Sequence, residues 1–176
     1  YSLGPDKAGT LTKRLTYQTN SGEPVKSFKC ELLLAAPVSL IYEALTTQHG
    51  IEGWWTTSST VGTSVGEQIT IHFGDTYKVM HIEALHPFTE VRWSVTDAQL
   101  IAPGLTRTNE WIGTTIVFQL TPQSGKVTQL QLEHVGLTPQ IECYEICSQG
   151  WNQFLGSLKT YVETGKGSPY VEQPTA

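Results

Sequence analysis

The groups in this chain that can move a proton, hold a metal or attack a substrate are five histidines, three cysteines and a thin scatter of carboxylates. His134 stands out among them. A strand that turns Leu130 and Leu132 inward turns His134 inward as well, because side chains alternate with a period of two, and that brings it beside Trp151 of the segment that follows. An imidazole there could hydrogen-bond a ligand or act as acid or base. The first expectation is more modest: His134 is satisfied by a backbone group and holds the turn at Gly136. His72 and His81 flank Gly74-Asp75 on neighbouring strands, with Glu83 and His86 close by. A metal needs three or four ligands converging in fixed geometry, and this spacing enforces no such convergence, so no metal and no cofactor are expected and these residues read as solvated. Glu110, beside Trp111 at the end of a long connection, is a candidate polar group at a pocket mouth, although a solvated loop carboxylate is the first expectation. Cys143 and Cys147 are four apart, and only Cys147 falls on the apolar stripe of its helix, where a small buried residue is expected. No nucleophile with a neighbouring base, no pair of catalytic carboxylates and no phosphate-cradling glycine loop can be picked out.

The elements that must position these groups follow from periodicity. Tyr144, Cys147, Trp151, Leu155, Leu158 and Val162 recur at three and four, which predicts one long amphipathic helix from about Ile141 to Gly165. Nearly everything before it alternates as strands do: Phe28 to Leu34, Gln68 to Phe73, Tyr77 to Leu85, Glu90 to Thr96, Thr114 to Thr121 and Val127 to Val135. Pro37 opens a short helix with Val38, Ile41, Tyr42 and Leu45 on its apolar face, and a second brief helical or turn segment carries the adjacent rings Trp54 and Trp55, which can pack to opposite sides. Residues 97–112 form a connection too long for a hairpin. A helix with such a stripe must bury it, and strands wrap a helix only when the sheet is strongly twisted. The expected fold is therefore α+β, a curved antiparallel sheet gripping a long C-terminal helix, with a cavity between them. Residues 1–25, broken by glycines and prolines, read as an extension that lies on the domain or adds a strand; residues 26–166 read as the domain, and 167–176 as a flexible tail.

Composition limits the partners. With 176 residues there is room for one sizeable core, and a formal net charge of −5 with only 11 Lys and Arg offers no basic stripe for nucleic acid or an anionic membrane. Neither an apolar run long enough to span a bilayer nor a signal-like start is present, and three cysteines without metal-type spacing suit a reducing compartment, so a cytoplasmic location is expected.

Several stretches carry a family resemblance: Leu32 to Thr46 with its Pro37, the Trp54-Trp55 pair, Gly113 to Phe118, Leu132 to Leu137, and Gly150-Trp151 through Lys159. Together they resemble the activator of heat-shock-protein-90 ATPase homologue family of the START-like, birch-pollen-allergen-like superfamily. The resemblance covers residues 28 to about 166 and implies a helix-grip fold with an internal apolar cavity. It implies less about activity, because the superfamily holds lipid and hormone carriers as well as polyketide cyclases. The family's founding eukaryotic member is a cochaperone with a separate activating domain, for which this chain is expected to have no room.

The function expected is binding of a small hydrophobic or amphipathic molecule between sheet and helix. The residues expected around it are Trp54, Trp55, Trp93, Trp111, Phe118, Leu132, His134, Cys147, Trp151 and Leu155. The alternatives are a cyclase, dehydratase or hydrolase acting on aromatic polyketide-like substrates through His134, and a chaperone-linked interaction module. A chaperone or a second copy of the chain, as a homodimer, completes the set of partners considered.

Overall fold

A computed structural model describes residues 12–14 and 27–172. In chain order the elements are β1 (Thr12–Arg14), β2 (Ser27–Leu34), α1 (Val38–Thr46), α2 (Gln48–Trp54), β3 (Ser59–Val61), β4 (Gln68–Phe73), β5 (Thr76–His86), β6 (Glu90–Gln99), β7 (Thr115–Pro122), β8 (Thr128–Val135) and α3 (Tyr144–Thr164). Among the described residues the strands form a single antiparallel sheet of eight in the order β1-β2-β8-β7-β6-β5-β4-β3. The chain thus runs β2 beside β8 at one side and meanders from β3 to β8 across the rest. β5 and β6 pair with register shifts at Val79/Met80 and Ile82/Ala84, and such irregularities raise the local twist.

Alternation builds the inner face. Phe28, Cys30, Leu32 and Leu34 of β2 join Leu130, Leu132 and His134 of β8, Ile116, Phe118 and Leu120 of β7, Val91, Trp93 and Val95 of β6, and Met80 and Ile82 of β5. Against this face lies the stripe of α3, with Tyr144, Cys147, Trp151, Leu155, Leu158 and Val162 buried. Gly165 ends the helix in the left-handed region at φ 90°, its N–H returning to the Tyr161 carbonyl at 2.8 Å. Near that end, Lys159 Nζ donates to the Leu33 carbonyl at 3.1 Å and Glu163 accepts from the Ala35 N–H at 2.7 Å, tying the helix to the end of β2.

Several expectations change in detail. Pro37 holds the N-cap position just before α1, with extended φ/ψ and no side-chain cap bond, instead of lying inside its first turn. Trp54 and Trp55 do not diverge; their rings stack at 5.0 Å and 8°, because α2 ends at Trp54 and strand alternation does not apply there. Register places His81 of β5 opposite Gln68 and His72 of β4 opposite Tyr77, so the two histidines stand four pairs apart along the β4–β5 ladder. The flexible tail expected over 167–176 is corrected for residues 167–172. Tyr170 bridges Thr56, its N–H reaching the Trp55 carbonyl at 2.9 Å, and Gly167 lies so close to the Gly53 carbonyl that a Cβ there would approach to 2.6 Å. Residues 173–176 and most of the 1–25 extension lie outside the described residues; within the extension, Thr12–Arg14 pairs with β2. No helix among the described residues is long and apolar enough to cross a membrane.

Candidate functional site

His134 is buried at 0% exposure, and both ring nitrogens are occupied. The Trp151 indole N–H, which can only donate, reaches Nδ1 at 3.0 Å, so Nδ1 is an acceptor. Burial holds the imidazole neutral, with its pKa lowered to about 3 and the Lys78 charge adding to the effect. The proton of the neutral ring then sits on Nε2 and is donated to Thr114 Oγ1 at 2.9 Å, whose own hydroxyl donates to the Trp111 carbonyl at 2.6 Å. Trp111 in turn donates its indole N–H to Cys147 Sγ at 3.0 Å, one helical turn before Trp151. The bonds therefore close a circuit through α3, the 100–114 connection and β8. His134 has neither a lone pair nor a proton to offer a substrate. Its partners are side chains, where a backbone group was expected. Gly136 completes the turn: it adopts φ 99°, and a Cβ there would meet Thr114 Cγ2 at 2.8 Å, so the chain at this point needs glycine on both counts.

A cavity of about 310 Å³ opens beside this circuit. Trp55, Trp111 and Trp151 wall it from the core side, Phe73 and Phe154 from the side of β4 and α3, and the strand-to-loop segment Leu100-Ile101-Ala102 covers it. Trp111 stacks on Trp151 at 6.1 Å and 14°, and Trp55 meets Trp151 tilted, at 5.5 Å and 35°. At the mouth, Ile101 is 52% exposed and Ile146 39%.

The ten residues expected around a ligand divide in two. Trp55, Trp111, Cys147 and Trp151 line the cavity. Trp54, Trp93, Phe118, Leu132, His134 and Leu155 do not; they form the packed layer behind it. Trp54 lies on the far side of Trp55 and donates its indole N–H to the Ala44 carbonyl at 2.8 Å. Trp93 and Phe118 meet edge to face at 5.1 Å, and Leu132 and Leu155 fill the space between sheet and helix. The core needs its largest rings at the centre, and that leaves only the outermost three indoles for a ligand.

Glu110, expected first to be a solvated loop carboxylate with a pocket-mouth group as the alternative, instead holds the turn that leads into α3, its two carboxylate oxygens accepting the N–H groups of Glu142 and Cys143 at 3.0 Å each. Glu142 reciprocates. It accepts the N–H groups of Thr106 and Arg107 at 2.8 and 2.7 Å and the Thr106 hydroxyl at 2.8 Å, so the covering connection and the start of α3 are latched to each other. Cys143, expected outside the apolar stripe, is buried as well. The two thiols influence each other: Cys143, Trp111 and Lys78 draw the Cys147 pKa down, while that of Cys143 is driven up by Cys147 and by burial.

Lys78 was not foreseen. It is 7% exposed, lines the cavity, and holds Nζ over the Trp111 ring at 4.3 Å and the Phe73 ring at 5.1 Å. It shares the buried face of β5 with Thr76, Met80 and Ile82.

A second depression, of about 250 Å³, lies on the outer face of β2, β8 and β7. Three of its polar side chains are engaged, Gln131 Nε2 donating to Glu31 at 2.9 Å and Glu133 accepting from the Ser27 hydroxyl at 2.8 Å. The three-helix, curved-sheet architecture with a cavity under the long helix is that of the helix-grip proteins of the START-like superfamily. The model of the Activator of Hsp90 ATPase homolog 1-like protein family matches residues 35–163, and the chain belongs to that family. No curated protein matches the sequence. Among solved structures, the Aha1 dimer from Colwellia psychrerythraea is 28% identical at a TM-score of 0.67, covering 81% of this chain and 100% of that one. Protein MLL2253 from Mesorhizobium loti is 23% identical at 0.63, with 76% and 94% covered. DynU16, from the dynemicin biosynthetic locus, is 22% identical at 0.63, with 85% and 52% covered, a likeness of fold alone.

Proposed function

We propose that this protein binds a small amphipathic molecule, rings first, in the cavity between the inner face of the sheet and α3. One observation carries the reading: an open space of about 310 Å³ walled by Trp55, Phe73, Trp111, Trp151 and Phe154, with few polar atoms to hydrate. That volume is at the lower end of the range for small-molecule sites, which suits a ligand of one or two rings, and burial of its apolar surface supplies the driving force. A role for His134 as acid or base gives way to a structural one, since its nitrogens are spent on Trp151 and Thr114. A second copy of the chain is a further partner under this proposal, after the dimer described for the Colwellia relative. The cytoplasm remains the compartment proposed, on the cysteine content.

Gly150 gives the test its leverage. It lines the cavity from within α3, and a Cβ built on it meets nothing within 4 Å. Replacing a helical glycine by leucine stabilises by about 0.5–1 kcal/mol through propensity, while the new side chain occupies the ligand's space. The expected result is that N-phenyl-1-naphthylamine, a neutral two-ring fluorophore, binds the wild-type protein, whereas Gly150→Leu keeps or raises its thermal midpoint and loses the probe at least tenfold. Equal binding by both proteins, or none by the wild type, contradicts the proposal.

A further inference from the structure

Lys78 is oddly provided for. The two-residue period of β5 turns it inward with Met80 and Ile82, opposite Ala98 of β6. Among the described residues it forms no ion pair and no hydrogen bond, and it is the one charged side chain in the lining of the cavity. The titratable groups that face it are Cys147 of α3, Cys143 at the N-cap of that helix and His134 of β8. None of these is a carboxylate. The faces of Trp111 and Phe73 return part of what an ammonium loses on leaving water, but an anion with oxygen acceptors would return more. Burial accordingly pulls the Lys78 pKa below its ordinary value, with the neighbouring thiols opposing the shift.

We infer that the ligand is an organic monoanion, an aromatic acid whose charged oxygens meet Lys78 Nζ while its ring lies along Trp111 and Trp151. This deepens the binding reading above and rests on it. The charge is single because a single cation lines the space; a phosphate dianion would be left half compensated. The charge is carried on a ring because the stacked indoles of Trp111 and Trp151 offer flat faces and the cavity is small.

The experiment compares two probes with one skeleton, 8-anilinonaphthalene-1-sulfonate and neutral N-phenyl-1-naphthylamine, by fluorescence titration of the wild-type protein and of Lys78→Met, which keeps the length and removes the charge. The wild type should bind the sulfonate at least tenfold tighter than the neutral probe, about 1.4 kcal/mol. Lys78→Met should lose that preference while holding the neutral probe. Its thermal midpoint should rise, because a buried charge without a counter-ion has been removed, and this confirms that it folds. The sulfonate stays charged throughout, so its affinity reports the protein alone: it should fall as pH rises through the Lys78 titration, which burial places below the ordinary lysine range, and be flat for Lys78→Met. Equal affinity for the two probes, or sulfonate binding untouched by Lys78→Met, overturns the inference and leaves the binding reading standing. Failure of the neutral probe as well overturns both.

Discussion

Below pH 6.5 the histidines of an unfolded chain take up protons, whereas His134, with its pKa lowered to about 3 by burial and by Lys78, does not while the protein stays folded. Through this group the unfolded state therefore binds more protons over the interval, and the His134 contribution to stability rises with pH from about 3 to about 6.5 and is level above. At ~1.4 kcal/mol per pH unit, His134 alone removes on the order of 5 kcal/mol on acidification across that window. Glutamine can take the same two bonds without titrating. His134→Gln should be less stable by roughly 1–3 kcal/mol at pH 7, from imperfect geometry in the circuit, yet show a shallower fall in urea midpoint between pH 6.5 and 4. Parallel curves for the two proteins would rule out the neutral-imidazole account. The inward position of His134 was legible because its row, Leu130 and Leu132, is unambiguously apolar. That of Lys78 was not, because both rows of β5 carry apolar residues, Tyr77 and Val79 on one and Met80 and Ile82 on the other. The role of Glu110 was beyond reading, since its partners lie 32 and 33 residues away and depend on the tertiary fold.

The element that controls the cavity is the connection between β6 and β7. Leu100, Ile101 and Ala102 cover the space and Trp111 walls it, and the whole stretch is held to the start of α3 by Glu110 in one direction and Glu142 in the other. The backbone N–H of Arg107 and the bonds from Thr106 hold the Glu142 carboxyl below its usual range. Glu142→Ala should accelerate amide exchange at Thr106 and Arg107 and shorten the residence time of a bound probe severalfold, with exchange in β7 and β8 unchanged. Unaltered exchange at those two amides would mean that the latch does not hold the cover. Sequence periodicity located the long strands and α3 closely, because each carries a full apolar row. It said nothing of β3, whose three residues give no period, and took the segment after Gly165 for a free end, because its anchor is the distant Trp55 carbonyl.

At the scale of the molecule, the sheet and α3 enclose more aromatic surface than the core can use. Trp54, Trp55 and Trp93 stack into the interior, at 5.0 and 5.8 Å between successive rings, while Trp55, Trp151 and Trp111 form a continuous wall facing the cavity. The curved architecture followed from one amphipathic helix set against many strands, and the family resemblance agreed with it. Which tryptophans would be wall and which core could not be read from spacing, because the difference is one of depth along the same inward face. The five indoles give the most direct test of ligand binding in this cavity. In a titration of 15N-labelled protein with N-phenyl-1-naphthylamine, the indole N–H signals of Trp55, Trp111 and Trp151 should shift together and saturate with the probe's affinity. That of Trp54, bonded to the Ala44 carbonyl behind the wall, should stay in place. Saturating binding that leaves the Trp111 and Trp151 indoles unmoved would place the ligand elsewhere and contradict the account.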